Sequence, residues 1–405
     1  MQRLGGAVIL MQLSFNELQY VVGTAETVEQ MSKAKVLRPF DDSVIEFLND
    51  LSSLLRKNRE YPDVATFGFW CRKAALLQEK DKYDDIDKRF GKGVVFHSTP
   101  SNVPVNFAFS FASGLIAGNA NIVRLPGKPF PQVDIICDAV KKLLNDKHKD
   151  IAPYVCFVKF PPKKEITDVF SALCNVRVIW GGDATVAELR QSKIPARTTE
   201  ITFADRHSIA VIDADEYLKA ENKTTVIQNF YNDTYYSDQN ACTSPRIIFW
   251  QGKAKEAAKA DFWGRVHELV KSKYTLAPVQ SVGKLSAMYK VASQKQVIKA
   301  ESDDMFVLRL KVDTLDDDLM NFKYNSGFFF EKDIEDLREI IPVCDVRCQT
   351  MTYYGVKEDN FRRFLEESRP RGIDRIVPMG KSMDFTLVWD GYDLVREMSK
   401  VVGLQ

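Results

Sequence analysis

The stretch Gly91-Lys92-Gly93-Val94-Val95-Phe96-His97-Ser98-Thr99-Pro100-Ser101-Asn102-Val103-Pro104 opens the pattern that decides the fold. A short apolar run, 94–97, ends in small polar residues and prolines. A helix over 104–117 follows, with Pro104 near its first turn. The motif then repeats. Strand 121–124 precedes helix 131–144, strand 154–160 precedes helix 165–173, and strand 176–180 precedes helix 184–192. Strands at 200–203 and 208–212 close the series. Apolar runs alternating with helices over brief connections predict a parallel α/β sheet with helices on both faces.

Upstream, the first ninety residues read as helical. Val44, Ile45, Phe47, Leu48, Leu51, Leu54 and Leu55 share one helical face, between start signals at Asp41 and Asp42 and a stop at Pro62. A second helix is expected over 64–78, and the charged run 79–89 reads as solvated. Downstream, alternation continues less regularly. Strands are expected at 246–250, 305–310, 327–330, 349–354, 373–377 and 385–389, and helices at 253–271, 279–292, 334–341, 358–367 and 392–401. The boundary between two lobes is expected near 213–215. That gives one lobe over 1–214, rejoined by 385–405, and a second over 215–384.

At 405 residues the chain is too long for a single ordinary core, which also predicts two lobes. Its 56 Lys+Arg against 55 Asp+Glu leave a net charge of +1, which argues against a polyanion-binding surface built on overall field, though not against a local basic pocket. An apolar content of 45% with 27% charged excludes a mainly disordered chain. Seven scattered cysteines, no CxxC and four histidines argue against a zinc site and fit a reducing cytoplasm. The stretch 93–123 has no Asp, Glu, Lys or Arg and is long enough to span a bilayer. It carries ten polar side chains and two prolines, so it is read as buried soluble structure and no membrane span is expected. The apolar stretch 4–13 behind Arg3 has a signal-peptide flavour but no cleavage site, and Met11 offers an alternative start.

Several residues could carry chemistry. Cys242 lies in Ser237-Asp238-Gln239-Asn240-Ala241-Cys242-Thr243-Ser244-Pro245, where a thiol among small polar residues is reachable. It reads either as a nucleophile or as a small buried residue, as most free cysteines are. Asn102 sits at a strand-to-helix junction, as a helix cap or as an amide donor aimed at an oxyanion. No GxGxxG follows any expected strand. Trp180-Gly181-Gly182-Asp183 is a turn that could meet phosphates or simply connect strand to helix. Arg124 and Lys128, in Asn121-Ile122-Val123-Arg124-Leu125-Pro126-Gly127-Lys128, could meet a 2′-phosphate or water. His207 reads as a proton donor or a turn residue. The aromatics Phe107, Phe109, Phe111, Tyr235, Tyr236 and Phe328 to Phe330 read as an apolar channel or as core.

Taken in this order, the segments resemble the aldehyde dehydrogenase superfamily, and most of all its LuxC-type branch, the fatty-acyl-CoA (acyl-protein thioester) reductases. The resemblance runs from about Gly93 to the C-terminus. It is carried by 96–104, by Ala117-Gly118-Asn119-Ala120-Asn121-Ile122-Val123-Arg124, by 238–245, and by Gly372-Ile373-Asp374-Arg375-Ile376-Val377-Pro378-Met379-Gly380 running on to Phe385-Thr386-Leu387-Val388-Trp389-Asp390-Gly391-Tyr392-Asp393-Leu394. It implies an aldehyde-dehydrogenase-like α/β fold, with a Rossmann-type cofactor lobe, an α/β catalytic lobe and a homo-oligomer. It makes Cys242 the nucleophile and Asn102 a partner of the Cys242 N–H in an oxyanion hole. Arg124 stands where a lysine commonly lies near the adenosine ribose, and Gly181 and Gly182 match the pyrophosphate turn.

The departures also inform. Oxidising relatives carry a water-activating glutamate ahead of a Gly-Gly-Lys-Ser segment. The comparable stretch here is Phe203-Ala204-Asp205-Arg206-His207-Ser208, with Phe203 at the glutamate position. Without that base a thioester is not hydrolysed quickly. The acidic residue that holds the ribose hydroxyls in many NAD-using members is replaced by Gly127 and Lys128, which points to NADPH. The usual glutamate for the nicotinamide ribose has no clear counterpart near Gln349. The resemblance therefore implies NADPH-dependent reduction of a long-chain acyl-CoA or acyl-carrier thioester, with an acyl-activating ligase as partner. An oxidising aldehyde dehydrogenase and an acyl-binding or acyl-transferring scaffold without redox activity are the alternatives.

Overall fold

The computed structural model describes residues 15–101, 103–300, 302 and 304–403. It divides into two compact units, Met1–Ala204 with Thr386–Gln405, and Asp205–Phe385.

The first unit contains β1 (Gln19–Val22), β2 (Arg89–Gly91), β3 (Val94–Ser98), β4 (Ala120–Arg124), β5 (Val155–Lys159), β6 (Val176–Trp180) and β7 (Thr199–Phe203). Six of these form one sheet in the order β1-β5-β4-β3-β6-β7. The ladders are parallel except at the β1 edge, which is antiparallel to β5. Both β3 and β6 are buried at every residue, as expected of central parallel strands covered on two faces. The chain runs outward from β3 through β4 to β5, then returns to the other side of β3 for β6 and β7. Strand order therefore reverses between β3 and β6, and ligands of open α/β sheets bind beyond the carboxyl ends at such a point.

The charge-free stretch 93–123 becomes β3, the buried helix Asn106–Ile116 and β4. No helix among the described residues is long and apolar enough to cross a membrane. The helix Asp42–Leu55 is capped by the Asp41 carboxylate, which accepts from the Ser43 N–H at 3.0 Å. Its buried face (Val44, Ile45, Phe47, Leu48, Leu51, Leu55) joins Phe107, Phe111 and Leu115 in one core. Leu54, expected on that face, is 40% exposed. The first ninety residues are also not wholly helical. The four residues of β1 form the sheet edge, a run too short to announce itself by alternation.

The second unit contains β8 (His207–Asp213), β9 (Pro245–Gln251), β10 (Val297–Lys299), β11 (Leu308–Val312), β12 (Phe328–Asp333), β13 (Cys348–Tyr354) and β14 (Arg375–Pro378), ordered β10-β11-β12-β9-β8-β13-β14. Only the β10–β11 pair is antiparallel. Apolar clusters cover both faces. The structural division falls between Ala204 and Asp205, a strand earlier than 213–215. The reason is that β8 ladders with β9 and β13, so hydrogen bonding assigns it to the second sheet.

Several expected elements differ. The helix expected over 64–78 is two, Pro62–Trp70 and Lys73–Lys80. The helix at 334–341 is a 3-10 segment, Leu337–Val343, because Pro342 removes a donor. The region 385–401 is a hairpin, β15 (Val388–Trp389) with β16 (Tyr392–Asp393), then the short helix Leu394–Met398 and β17 (Ser399–Val401), which pairs with β2. Asp390 and Gly391 have φ of 50° and 77°, the geometry of the tight two-residue hairpin turn. Asp393 then caps the helix, accepting from the Arg396 N–H at 3.0 Å.

Candidate active site

In the second unit, the helix Lys223–Asp233 ends and the 3-10 turn Tyr235–Ser237 leads into the segment before β9. Asp238 and Gln239 both have φ of 51°, the left-handed region, which reverses the chain. Cys242 follows in a turn closed by the Ser244 N–H on the Ala241 carbonyl at 3.1 Å. The Cys242 carbonyl accepts from the Ser208 hydroxyl at 2.8 Å, and Ser208 Oγ accepts from the Thr350 N–H at 3.2 Å. The turn is thus tied to the starts of β8 and β13. The Thr243 hydroxyl lies 3.2 Å from Met383 Sδ.

Of the seven free cysteines, Cys242 alone is not buried. Burial pushes the Cys71 and Cys156 thiols up, and takes Cys137 and Cys174 to about 12. Those four are chemically quiet, whereas the Cys242 sulfur is in a reachable turn.

Three residues that sequence reasoning left without a role hold this turn. The Gln239 side chain, fully buried, accepts from the Gly327 N–H (2.7 Å) and Phe328 N–H (3.2 Å), and donates to the Pro245 carbonyl (3.2 Å). Arg246 donates to the Tyr324 carbonyl (2.6 Å), to Asn325 Oδ1 (2.7 Å) and to the Gln239 carbonyl. Ser208 is the third, through the Cys242 carbonyl. Gln239 was in view within the segment 238–245, but its partners are far along the chain. Burial and Arg246 both push the Lys323 ammonium down, and its interactions with the Asp205 and Cys242 side chains oppose that.

Below the same turn, Asp233 accepts from the Gly380 N–H (2.6 Å) and the Ser382 N–H (3.0 Å). It anchors the loop that carries Met383. Burial raises its carboxyl to about 6. His207 is buried, with ring Nε2 2.9 Å from the Val343 carbonyl, so it serves the fold rather than a reacting group. Tyr235, Phe328, Phe329 and Phe330 are core residues, as are Phe107 and Phe111 in the first unit, while Tyr236 is 60% exposed.

Within the first unit, Arg124 ends β4 and Gly181 and Gly182 follow β6, at the carboxyl edge of the sheet. Asn102 lies outside the described residues. Its neighbour Thr99 donates to the Arg124 carbonyl at 2.6 Å, joining the loop after β3 to the end of β4. The Arg124 guanidinium lies 4.6 Å from the Phe160 ring centroid and donates to the Phe160 carbonyl at 3.3 Å. Lys128 is exposed. Gly181 and Gly182 follow β6, and Gly181 donates to the Phe203 carbonyl at 3.1 Å. A Cβ on Gly181 would stand 2.9 Å from Thr185 Cγ2, so the turn stays bare.

Phe203 itself is 5% exposed and stacks on Trp180, with ring centroids 3.7 Å apart. The Trp180 indole donates to Ser110 Oγ at 2.9 Å, and Ser110 meets His97 Nδ1 at 2.7 Å. Desolvation lowers the His97 pKa to about 4, so this imidazole is neutral. Among the described residues there is no cluster of His, Cys, Asp and Glu that could hold a metal ion.

The comparisons agree with this architecture. Aldehyde dehydrogenase 21 from Physcomitrella patens, in complex with the reaction product succinate, has a TM-score of 0.65 at 11% identity, over 93% of this chain and 89% of its own. A lactaldehyde dehydrogenase scores 0.65 at 10% identity, covering 94% and 90%. The Delta-pyrroline-5-carboxylate dehydrogenase from Mycobacterium tuberculosis scores 0.60 at 13%, covering 94% and 83%. At such identities the likeness establishes the aldehyde-dehydrogenase-like α/β fold. No curated protein matches the chain. The family model described as acyl-CoA reductase (LuxC) matches residues 34–314, more than half of the sequence, and the chain therefore belongs to the LuxC acyl-CoA reductase family of oxidoreductases.

Proposed function

We propose that the protein reduces a long-chain acyl-CoA or acyl-carrier thioester to the aldehyde, using NADPH, through an acyl-enzyme on Cys242. The observation that carries this reading is Phe203. Phe203, which the resemblance sets at the place of the oxidising relatives' water-activating carboxylate, is a buried phenyl ring stacked on Trp180. No base at that place can hydrolyse a thioester, so reduction or transfer to a second thiol is the exit.

Cys242 attacks the substrate carbonyl, its sulfur forming a new C–S bond. The resemblance assigns the tetrahedral oxyanion to the Asn102 amide and the Cys242 N–H, an effect worth roughly 3–4 kcal/mol per donor. The carrier thiolate leaves as the carbonyl re-forms. The nicotinamide, when bound, supplies the hydride. The reduced carbon then releases Cys242 as a thiolate and departs as aldehyde.

For the cofactor, the residues fit. The bare Gly181-Gly182 turn and the Arg124 end of β4 lie at the carboxyl edge on either side of β3. The segment 121–128 offers Arg124 and Lys128 and no acidic side chain to repel a 2′-phosphate. Gly181 and Gly182 would leave room for the pyrophosphate, and Arg124 and Lys128 would meet the adenosine end. A homo-oligomer, an acyl-activating ligase supplying the thioester, and a reducing cytoplasm that keeps the thiols free belong to the same reading.

The test is consumption of NADPH, followed by its absorbance, in the presence of a long-chain acyl-CoA, beside radiolabelled acyl-enzyme. Reduction lost in Cys242→Ala supports the proposal. Acylation without NADPH consumption selects the scaffold alternative, and reduction that persists in Cys242→Ala removes the nucleophile.

A further inference from the structure

We propose that Arg246 is the positioning residue of the Cys242 turn, pinning its backbone and placing a fixed positive charge against that turn. The proposal rests on the reading of Cys242 as nucleophile and deepens it.

Arg246 is the second residue of β9, four residues after Cys242, and its side chain is almost wholly buried. Its fork reaches back to the Gln239 carbonyl, in the left-handed part of the turn, and across to the Tyr324 carbonyl and Asn325 Oδ1 in the loop before β12. Asn325 in turn donates to Asn240 Oδ1 at 2.7 Å. One planar group therefore locks the segment before Cys242 to a second loop, a task that suits guanidinium and not ammonium.

All three acceptors are neutral, so these hydrogen bonds leave the charge uncompensated. A buried charge without a counter-charge is costly. Burial pushes the guanidinium down to about 10, and its electrostatic interactions with the Cys242 and Asp238 side chains oppose that shift. The Asp238 carboxylate is also engaged by the Tyr274 hydroxyl and by Gln280 Nε2 at 3.1 Å. The other charged groups around the turn are Lys323, which donates to the Arg206 carbonyl at 2.9 Å, Asp205, the Arg206–Asp374 ion pair, and Arg347 in its pair with Asp345. Coulomb attraction is mutual. A charge on Cys242 that favours protonated Arg246 and Lys323 is itself favoured by them.

The experiment follows alkylation of Cys242 by iodoacetamide against pH, read by peptide mass, in the parent and in Arg246→Met, Arg246→Gln and Arg246→Lys. Neutral variants should raise the alkylation midpoint by about one pH unit, a tenfold slower reaction below it. Arg246→Lys should restore the midpoint, yet lower kcat for acyl-CoA reduction with KM little changed, because one ammonium cannot hold three separated acceptors. A folded neutral variant with the parental midpoint overturns the proposal. Should neither neutral variant fold, Arg246→Lys decides: parental kcat overturns it, and a lowered kcat at the parental midpoint supports it. Failure of the underlying reading is separate, since it would appear as acyl-CoA reduction that survives Cys242→Ala, whatever the alkylation profile.

Discussion

Gln239→Leu is the perturbation whose cost can be worked out most directly. The amide is fully buried and bridges two strand starts, at Pro245 on β9 and at Gly327 and Phe328 by β12. Leucine fills a similar volume, so the cavity contribution is small. What changes is polar. The Gly327 and Phe328 N–H groups lose their acceptor, and an orphaned buried donor costs about 1–3 kcal/mol. The Nε2 contacts, at 3.2 and 3.4 Å, are longer and add less. The sum is about 3 kcal/mol. For a unit of this size, at about 2–4 °C per kcal/mol, Tm should fall by roughly 6–12 °C. Thermal and urea unfolding measure the loss, and iodoacetamide alkylation of Cys242 reports whether the turn has drifted. A variant within about 0.5 kcal/mol of the parent, with Cys242 alkylated at the parental rate, would refute the idea that this amide holds the turn.

Three further outcomes are expected. Asp233 has its carboxyl raised to about 6 by burial, so the folded protein holds a proton that the unfolded chain releases near 3.8. Stability should therefore fall as pH rises from about 4 to 6, by up to about 3 kcal/mol, and Asp233→Asn should flatten that slope in pH-dependent urea titrations. Phe203→Ala removes a buried ring stacked on Trp180 and should cost about 3–5 kcal/mol by urea unfolding; a cost below about 1 kcal/mol would show that the stack is not structural. Lys128→Ala, at an exposed site, should raise KM for NADPH roughly fivefold and leave KM for NADH unchanged, a charge effect of about 1 kcal/mol; equal changes for the two cofactors would rule out 2′-phosphate recognition.

The alternation from β3 to β8 was legible because each central strand is a short, mainly apolar run between turn residues, and the helices between them carry their own period. The edge was not. β1 has four residues and takes its place only by pairing with β5, more than a hundred residues away. The 3-10 segment Leu337–Val343 was legible in principle, since Pro342 stands inside it, but the apolar spacing around it imitates a helix. The assignment of β8 to the second sheet could not be read, because it depends on which neighbours accept its hydrogen bonds.

At the site, Cys242 stood out by its polar surroundings, and most of its sister thiols by apolar ones. The residues that hold it did not stand out. Gln239, Arg246 and Ser208 are ordinary polar side chains by sequence, and their roles lie in contacts to Gly327, Tyr324 and Cys242 itself. Phe203 could be singled out from the sequence, but its stacking on Trp180 is a tertiary fact.

The most direct measurement is the intact mass of the protein after incubation with a long-chain acyl-CoA in the absence of reductant. A gain of one acyl group, located on the Cys242 peptide, absent from Cys242→Ala and discharged as aldehyde when NADPH is added, is the predicted result. An unmodified wild-type protein that nevertheless oxidises NADPH with acyl-CoA, or an acyl group found on another cysteine, would contradict it.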